Sequence, residues 1–516
     1  MDTVLEMLAA TAGRVPERVA FSDPEKSVTW GELLATAQKI GLRLSGIAQF
    51  GSGVAFYLEK SVDSVKAMFG AVFAGCFYSY IDVRQPEERL CKMLQKLCPS
   101  VVITDKTNAA ALRRAFDSQN LTYSVILLED LVETAESAAP ISAVEIKKLD
   151  AIAASMADTM PLYVNFTSGS TGVPKGVAVS HGNVIGFIRH FLDVFPFNEN
   201  DVFANQAPFD FDVSVKDIYS ALSCGARVAL IPRSMFSTPA VLMDYLAENS
   251  VTVMVWAVSA LCMISGMGGL EYRVPKTVKR IMFSGEVMPI KHINKWSSFL
   301  PDCTFVNLYG PTETTCNCTY YVLDKREYAL DEKVPIGKHF QNMKVFLLDE
   351  SNCEISSAIA DTAGEICVGG RNVAIGYYND PEKTEKAFVQ NPLQSCFYER
   401  VYRTGDLGYY GKDGNLYYLS RKDNQIKHMG QRIELTEIEA VVNGLNGVDR
   451  SCCLYQHDIA RIVLFFTGTV QMHDLRAEIK TKLPTYMIPG KIIEIESFPL
   501  NKNGKIDRKK LKEMIV

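Results

Sequence analysis

Short, continuous runs of apolar residues alternate along most of the chain with longer stretches of helical periodicity. Four clear runs occupy residues 101–103, 125–128, 227–231 and 280–283. Continuous apolar runs indicate strands that are buried on both faces, as in parallel sheets covered by helices. The pattern therefore predicts an α/β fold in which mostly parallel sheets are flanked by helices.

The last quarter of the chain has a different texture. From about residue 364 the strands shorten and Gly/Asp turns separate them, and a compact, charge-rich unit with a helix at residues 436–443 follows. We predict two domains, an N-terminal core at residues 1–422 and a small α+β domain at residues 423–516.

Length, charge and cysteine content exclude several classes. The 516 residues exceed one ordinary domain, and a net charge of −5 gives no electrostatic footprint for nucleic acid. Residues 251–270 carry no charge but contain Ser, Thr and Gly, so a buried strand and a short helix are predicted there, not a membrane span. Thirteen cysteines without a C-x-x-C pair or a signal peptide predict reduced thiols and a cytoplasmic location.

A Ser/Thr/Gly-rich loop at residues 167–176 is the strongest chemical signal. It lies between two apolar strands, and its backbone N–H groups, hydroxyls and lysine can bind phosphoryl oxygens. The order Pro-Lys-Gly before a strand differs from a Walker A loop, and no G-x-G-x-x-G occurs. A flexible linker is the alternative. The candidate phosphate ligands are Thr167, Ser168, Gly169, Ser170, Thr171, Gly172 and Lys175.

This loop resembles the signature of the adenylate-forming superfamily, which includes acyl-CoA synthetases, luciferases and adenylation domains of nonribosomal peptide synthetases. Further segments match in the same order, at residues 307–313, 364–366, 402–407, 483–489 and 503–508. Residues 209–217 and 284–287 are most similar to stand-alone D-alanine–carrier protein ligases. The resemblance implies a β-barrel-like subdomain in the core and a mobile C-terminal domain.

The resemblance implies ATP and Mg²⁺ as cofactors of a two-step reaction, in which a carboxylate attacks the α-phosphate of ATP and a thiol then attacks the acyl-adenylate. Lys505 would bridge the carboxylate and phosphate oxygens, and Lys427 would act in the second step. Glu313 and Thr312 would hold Mg²⁺. The other implied ATP-binding residues are Asn307, Leu308, Tyr309, Gly310, Pro311, Asp406 and Arg421.

The segment at residues 421–427 resembles the inter-domain hinge, with Asp423 at the pivot. Gly430 should lie beside the channel for the attacking thiol. Ser420 and Met429 depart from the family pattern, in which the first position is Gly and an Arg usually precedes the glycine.

The resemblance also implies a substrate pocket. Asp212 would pair with an α-ammonium group, although a helix N-cap is a compatible alternative. Lys216 lies four residues later on the same helical face. If it points inward it favours an acidic amino acid; if it turns outward or pairs with Asp217, the pocket suits alanine or serine. The remaining implied wall is Val213, Val255, Met282, Ser284, Leu308, Cys316 and Asn317.

The favoured function is that of a stand-alone amino-acid adenylating enzyme. No Gly-Gly-x-Ser thiolation signature occurs, so the expected acceptor is the phosphopantetheine thiol of a separate carrier protein acting in trans. One alternative is a CoA ligase for a small carboxylic acid, which would leave Asp212 unpaired. Another is a catalytically silent nucleotide sensor, although Lys505, Glu313 and Asp406 are all present.

Overall fold

The computed structural model describes residues 2–169, 174–423, 425–500 and 506–515, and over these residues helices and strands alternate as an α/β fold. The strands are β1 (Val19–Ser22), β2 (Ser27–Thr29), β3 (Gly53–Tyr57), β4 (Phe77–Tyr80), β5 (Val101–Thr104), β6 (Ser124–Leu127), β7 (Pro161–Thr167), β8 (Lys175–Ser180), β9 (Val202–Asn205), β10 (Arg227–Leu230), β11 (Val253–Ala257), β12 (Arg280–Ser284), β13 (Thr304–Tyr309), β14 (Thr319–Val322), β15 (Lys338–His339), β16 (Met343–Leu348), β17 (Glu354–Ile355), β18 (Gly364–Gly370), β19 (Gly376–Tyr377), β20 (Phe388–Gln390), β21 (Arg400–Tyr410), β22 (Leu416–Arg421), β23 (Gln425–His428), β24 (Gln431–Glu434), β25 (Val448–Gln456), β26 (Arg461–Gly468) and β27 (Lys491–Glu494).

The helices cover the sheets. They are α1 (Val4–Arg14), α2 (Trp30–Leu44), α3 (Val62–Phe73), α4 (Glu87–Leu97), α5 (Ala109–Ser118), α6 (Leu128–Ser137), α7 (Ala143–Ala154), α8 (His181–Val194), α9 (Val213–Cys224), α10 (Pro239–Glu248), α11 (Val258–Gly266), α12 (Gly269–Tyr272), α13 (Ile290–Phe299), α14 (Pro381–Ala387), α15 (Leu435–Asn443), α16 (Met472–Lys482) and α17 (Arg508–Glu513). Within the described ranges no helix is long and apolar enough to cross a membrane.

Two large sheets form the core of the first 340 residues. One has the order β19-β8-β7-β4-β3-β5-β6, and the other has the order β15-β14-β13-β12-β11-β9-β10-β1-β2. Most of their inner pairs are parallel, including β3 with β4 and β5, and β9 through β13. Every residue of β3, β5 and β11 is buried, as expected for strands covered by helices on both faces. The predicted α/β fold class is confirmed.

The four apolar runs became β5, β6, β10 and β12, and the uncharged stretch at residues 251–270 became β11, α11 and the start of α12. β6 differs from the other three because it is the edge strand of its sheet and is only partly buried. An apolar run can therefore mark an edge as well as a buried strand. The predicted helix at residues 436–443 is α15, one residue longer at its start.

Antiparallel strands dominate the rest of the described chain. β16, β17, β18, β20, β21 and β22 form a third sheet. After residue 425, β23 and β24 form a separate hairpin, and β25, β26 and β27 form another sheet with its own apolar cluster that includes α15 and α16. The smaller C-terminal unit is thus distinct in its sheets, while the boundary at residue 423 stays a prediction.

Candidate active site

The carboxyl ends of three parallel strands supply one wall of the site. Val255 of β11 lies opposite Met282 of β12, and Ser284 lies opposite Leu308 of β13. Residues two apart on a strand share a face, so these four buried side chains lie on the face against which α9 packs. Ala257, the register partner of Ser284, belongs to the same row, and sequence reasoning missed it because alanine carries no chemical signal.

Asp212 lies immediately before α9 and is buried. Asp212 is the N-cap residue of α9, but its side chain makes no capping hydrogen bond with the helix. Burial raises the pKa of its carboxyl group, against the opposing effects of the Lys216 ammonium and a hydrogen bond from Thr312. Asp212 lines a small cavity of about 40 Å³ together with Thr167, Ser168 and Thr312. Its carboxylate is therefore not used to cap the helix, and its role in substrate binding stays a prediction.

Lys216 points inward. Its side chain is fully buried, and its Nζ donates a 2.6 Å hydrogen bond to Oδ1 of Asn317. The interpretation in which Lys216 turns outward to solvent is therefore wrong. Val213, at the first position of α9, is also buried. The Sγ of Cys316 donates to the backbone carbonyl of Asp212 at 3.2 Å, which ties the segment after β13 to the start of α9.

A tight turn after β13 brings Glu313 and Asn317 to the site. Thr315 and Cys316 have φ angles of 53° and 72°, a left-handed conformation that is uncommon for such residues. Gly310 permits the close approach, because a Cβ there would lie 2.5 Å from Cα of Asn317. Pro311 precedes a single 3-10 turn, Thr312–Thr314, that carries the predicted Mg²⁺ ligands Thr312 and Glu313.

The described part of the phosphate loop contacts the C-terminal unit. Ser168 Oγ donates to the carbonyl of Arg432 at 2.7 Å and accepts from the N–H of Glu434 at 3.1 Å. The N–H of Gly169 donates to Oε2 of Glu437 at 3.2 Å, and the other oxygen of that carboxylate pairs with Arg89. The backbone N–H at the loop edge thus already binds a carboxylate.

Four predicted site residues, Ser170, Thr171, Gly172 and Lys505, lie outside the described residues, so their roles stay predictions. Thr167 ends β7, and Lys175 begins β8, the antiparallel partner of β7. The ammonium group of Lys175 lies 5.1 Å from the ring centre of Tyr377. The loop therefore connects the two strands of a hairpin, as the sequence pattern indicated.

Glu313 is completely buried and pairs with Arg432 from β24. Arg432 Nη1 donates to Oε2 and Oε1 at 2.7 and 3.0 Å, and the hydroxyl of Tyr377 donates to Oε1 at 2.8 Å. Burial alone raises the pKa of Glu313, but the charges of Arg432 and Lys175 lower it to about 2. Glu313 is therefore an ionised carboxylate that already binds a cationic group, the guanidinium of Arg432.

Three predicted nucleotide-binding residues form a connected group, at the ends of β13 and β22 and in the interior of β21. The hydroxyl of Tyr309 donates to Oδ2 of Asp406 at 2.6 Å, and Arg421 Nη1 donates to Oδ1 at 2.9 Å. Arg421 also binds both oxygens of the predicted pivot, Asp423. Asn307 Nδ2 donates to the carbonyl of Pro335 at 2.8 Å.

The hairpin of β23 and β24 reaches into the site. Lys427 lies with its Nζ 5.6 Å from the ring centre of Tyr309, and burial lowers the pKa of this ammonium group. At the hairpin turn, the N–H of Gly430 donates to a carboxylate oxygen of Glu286. Sequence reasoning missed Arg432, Glu437 and Glu286, because their partners lie more than a hundred residues away.

A larger cavity of about 330 Å³ opens beside this hairpin turn. Its lining residues include Ala257, Ser259, Phe211, Met429 and Gly430, of which Met429 is largely exposed. The predicted position of Gly430 beside a channel therefore coincides with a cavity of the described structure.

The fold and this set of side chains indicate the class of adenylate-forming enzymes. The chain belongs to the AMP-binding enzyme family, whose model matches residues 8–378.

The most similar curated proteins include peptide synthetases. The chain is 31% identical over 525 residues to tyrocidine synthase 3 of Brevibacillus parabrevis, covering 99% of this chain and 8% of that protein. It is 29% identical over 511 residues to zwittermicin A synthase ZmaJ of Bacillus cereus, covering 96% of this chain and 92% of that protein. The chain spans only 6% to 19% of the length of the linear gramicidin, plipastatin and tyrocidine synthase relatives.

Solved structures share the fold over nearly the whole chain. Holo-PA1221, an NRPS protein containing adenylation and PCP domains, is 25% identical with a TM-score of 0.83, covering 99% of this chain and 84% of that one. The Vibrio cholerae adenylation domain AlmE, in complex with glycyl-adenosine-5'-phosphate, has a TM-score of 0.84 at 22% identity, covering 99% and 97%. The second likeness is evidence for the fold alone.

Proposed function

We propose that this chain activates an amino acid with ATP, forming an aminoacyl-adenylate and pyrophosphate, and transfers the aminoacyl group to the phosphopantetheine thiol of a separate carrier protein. The observation that carries the proposal is the buried carboxylate of Asp212, which lines the same cavity as Thr167, Ser168 and Thr312. A buried carboxylate needs a cationic partner, and the α-ammonium group of an amino acid supplies one.

The first step needs charge stabilisation at phosphorus and no protein nucleophile. The loop at residues 167–175 and Lys505 would bind the phosphate oxygens as negative charge develops on them. Tyr309 would contact adenine, and Asp406 would accept hydrogen bonds from the ribose. Both oxygens of Asp406 have partners in Tyr309 and Arg421, which hold the carboxylate in place.

Glu313 and Thr312 fit a bound Mg²⁺ because a carboxylate and a hydroxyl are the oxygen ligands that this cation takes. In the described arrangement the charges of Arg432 and Lys175 lower the pKa of the buried Glu313 to about 2, so its side chain is an ionised carboxylate. Mg²⁺ would neutralise phosphate charge there. Arg432 binds both Glu313 oxygens in the described arrangement, so metal binding would require the hairpin to withdraw.

The second step, transfer of the aminoacyl group to a thiol, would use the larger cavity. An arm that carries a thiol would enter past Met429 and Gly430, and Lys427 would lie near the adenylate. The cavity of about 330 Å³ supports this route, as does the presence of a PCP domain in the solved relative holo-PA1221. The substrate would be D- or L-alanine, serine or an acidic amino acid, and the resemblance to D-alanine–carrier protein ligases stays a prediction.

The proposal predicts amino-acid-dependent ATP–pyrophosphate exchange. With purified protein, ATP, Mg²⁺ and a panel of D- and L-amino acids, exchange above the no-amino-acid background is expected for at least one member. Transfer is then measured with a phosphopantetheinylated carrier and with CoA as competing acceptors. Efficient transfer to CoA alone would favour the CoA-ligase alternative, and nucleotide binding without any exchange would favour a silent sensor.

A second prediction separates the two steps. A Leu side chain at Gly430 would project into the larger cavity, because a Cβ at this position already lies 3.3 Å from that of Ala257. Gly430→Leu is expected to lower transfer to the carrier by at least tenfold while exchange falls much less. Gly430 has a φ angle of +78°, so Gly430→Ala controls for backbone strain. Two results would contradict entry of the thiol through this cavity. One is an equal loss of transfer in Gly430→Leu and Gly430→Ala, and the other is an equal loss of exchange and transfer in Gly430→Leu.

A further inference from the structure

We propose that the amino acid activated by this chain carries a second carboxylate, on its side chain, and that Lys216 binds it with Asn317 as the supporting amide. This inference rests on the proposed amino-acid activation and names the substrate class for it. It selects the acidic amino acids from the substrates named above.

The positive charge of Lys216 has no ion-pair partner among the described residues. The side chain is completely buried, and the one hydrogen bond described for its Nζ goes to a neutral amide oxygen, at 2.6 Å from Asn317. Among the described residues, no carboxylate oxygen lies within the 4.0 Å ion-pair distance of this Nζ. A buried ammonium group whose one described hydrogen-bond partner is an amide lowers the stability of the folded protein unless an anion binds beside it.

The charges of Asp212 and Asp217 act on Lys216 from a distance, but neither carboxylate forms a described ion pair with it. Asp217 accepts a 2.9 Å hydrogen bond from Nδ2 of Asn205, and the Oδ1 of the same amide accepts from Nζ of Lys60 at 2.7 Å. The two buried charges of Asp217 and Lys60 are therefore linked through Asn205. The thiol of Cys316 adds no negative charge, because burial raises its pKa well above the usual value.

The charge balance between Asp212 and Lys216 depends on which substrate binds. In the absence of an amino acid, Asp212 and Lys216 are the two opposite charges on one face of α9. An α-ammonium group bound to Asp212 would satisfy that carboxylate and leave Lys216 as the uncompensated charge. A substrate with a neutral side chain would keep this imbalance, whereas a side-chain carboxylate would remove it.

Apart from the hydroxyl of Ser284, the other predicted wall residues are mostly apolar. Val213, Val255, Met282 and Cys316 are buried and largely apolar. The amide of Asn317 presents Oδ1 to Lys216, which leaves its Nδ2 as the donor end for a carboxylate oxygen. The pair of Lys216 and Asn317 thus provides ammonium and amide donors within one hydrogen-bonded group.

The experiment compares each acidic amino acid with its neutral isostere in ATP–pyrophosphate exchange. The panel holds both enantiomers of aspartate, glutamate and 2-aminoadipate, with asparagine, glutamine, alanine, serine and glycine. Wild-type protein is expected to prefer one acidic amino acid over its amide isostere by roughly 100-fold or more in kcat/KM. This comparison needs no variant and therefore does not depend on whether a mutant folds.

Lys216→Met, which keeps the length of the side chain and removes its charge, is the matched variant. It is expected to reduce the acidic-to-neutral preference by about 100-fold, chiefly through the KM of the acidic substrate. A purely structural role of Lys216 would lower kcat/KM for all substrates alike and would overturn the proposal. Strongest exchange with alanine or serine, unchanged in Lys216→Met, would also overturn it while leaving amino-acid activation standing. Silence with every amino acid would overturn the proposed function itself.

Discussion

Replacing Lys505 with alanine is expected to lower amino-acid-dependent ATP–pyrophosphate exchange by about 10³-fold, because the first step depends on positive charge at the phosphate and carboxylate oxygens. Replacing Lys427 with alanine is expected to have its larger effect on the second step. Lys427 lies against Tyr309 in the described arrangement, in which the hairpin of β23 and β24 occupies the site. The two lysines thus form a matched pair of variants.

The measurement divides the reaction into its halves. Exchange reports the first step, and single-turnover transfer from a preformed aminoacyl-adenylate to the carrier reports the second. Lys505→Ala should lose exchange and retain most of the transfer, and Lys427→Ala should show the opposite balance. Thermal unfolding of both variants controls for folding. Turnover like that of the wild type in Lys505→Ala would overturn the assignment of this chain to amino-acid activation.

Replacing Glu313 with glutamine is expected to lower exchange by about 10³-fold as well. The substitution keeps the shape of the side chain but removes the charge that would hold Mg²⁺, and such metal ions contribute several kcal/mol to the stabilisation of phosphoryl charge. It also leaves the guanidinium of Arg432 without its carboxylate partner in the described arrangement. An unpaired buried charge of this kind costs about 3–5 kcal/mol.

Arg432→Gln is the control for Glu313→Gln, because it breaks the same ion pair from the other side. Exchange and its dependence on Mg²⁺ concentration should suffer far less in Arg432→Gln, whereas transfer to the carrier should fall, since the hairpin loses its contact with Glu313. Equal effects of both variants on exchange would mean that the ion pair, and not metal binding, explains the loss. Exchange by Glu313→Gln at the wild-type rate would refute its role.

Local patterns predicted the fold well because they depend on neighbouring residues. The apolar runs at residues 101–103, 227–231 and 280–283 became buried strands, and Ser180 caps α8 through a reciprocal bond with Asn183. The run at residues 125–128 shows the limit, because the position of a strand in its sheet is not encoded in its own composition. Whether a strand lies at an edge depends on its partners.

The candidate site was likewise predictable only in part. Motifs indicated which residues belong to it, but the inward direction of Lys216 depends on Asn317, which lies 101 positions away. The partners of Glu313 and Gly169 come from the C-terminal unit, at Arg432 and Glu437. Such contacts depend on how elements distant in sequence pack together, and no local pattern of charge specifies them. From sequence, Asp212 could bind substrate, cap a helix, or do both, and only the structure shows that this N-cap residue makes no side-chain capping bond.

The bond between the Gly169 N–H and the Glu437 carboxylate has a kinetic consequence. Ser168 is bound by the same C-terminal segment, so the two described residues at the start of the candidate phosphate loop are bound by the protein's own groups. Glu437 stands as an internal anion in contact with the loop that would hold pyrophosphate. Under the proposed function, release of this product would have to precede carrier loading, and accumulated pyrophosphate would act as an inhibitor of loading. Hydrolysis of pyrophosphate in the cell would therefore shift the reaction toward the loaded carrier.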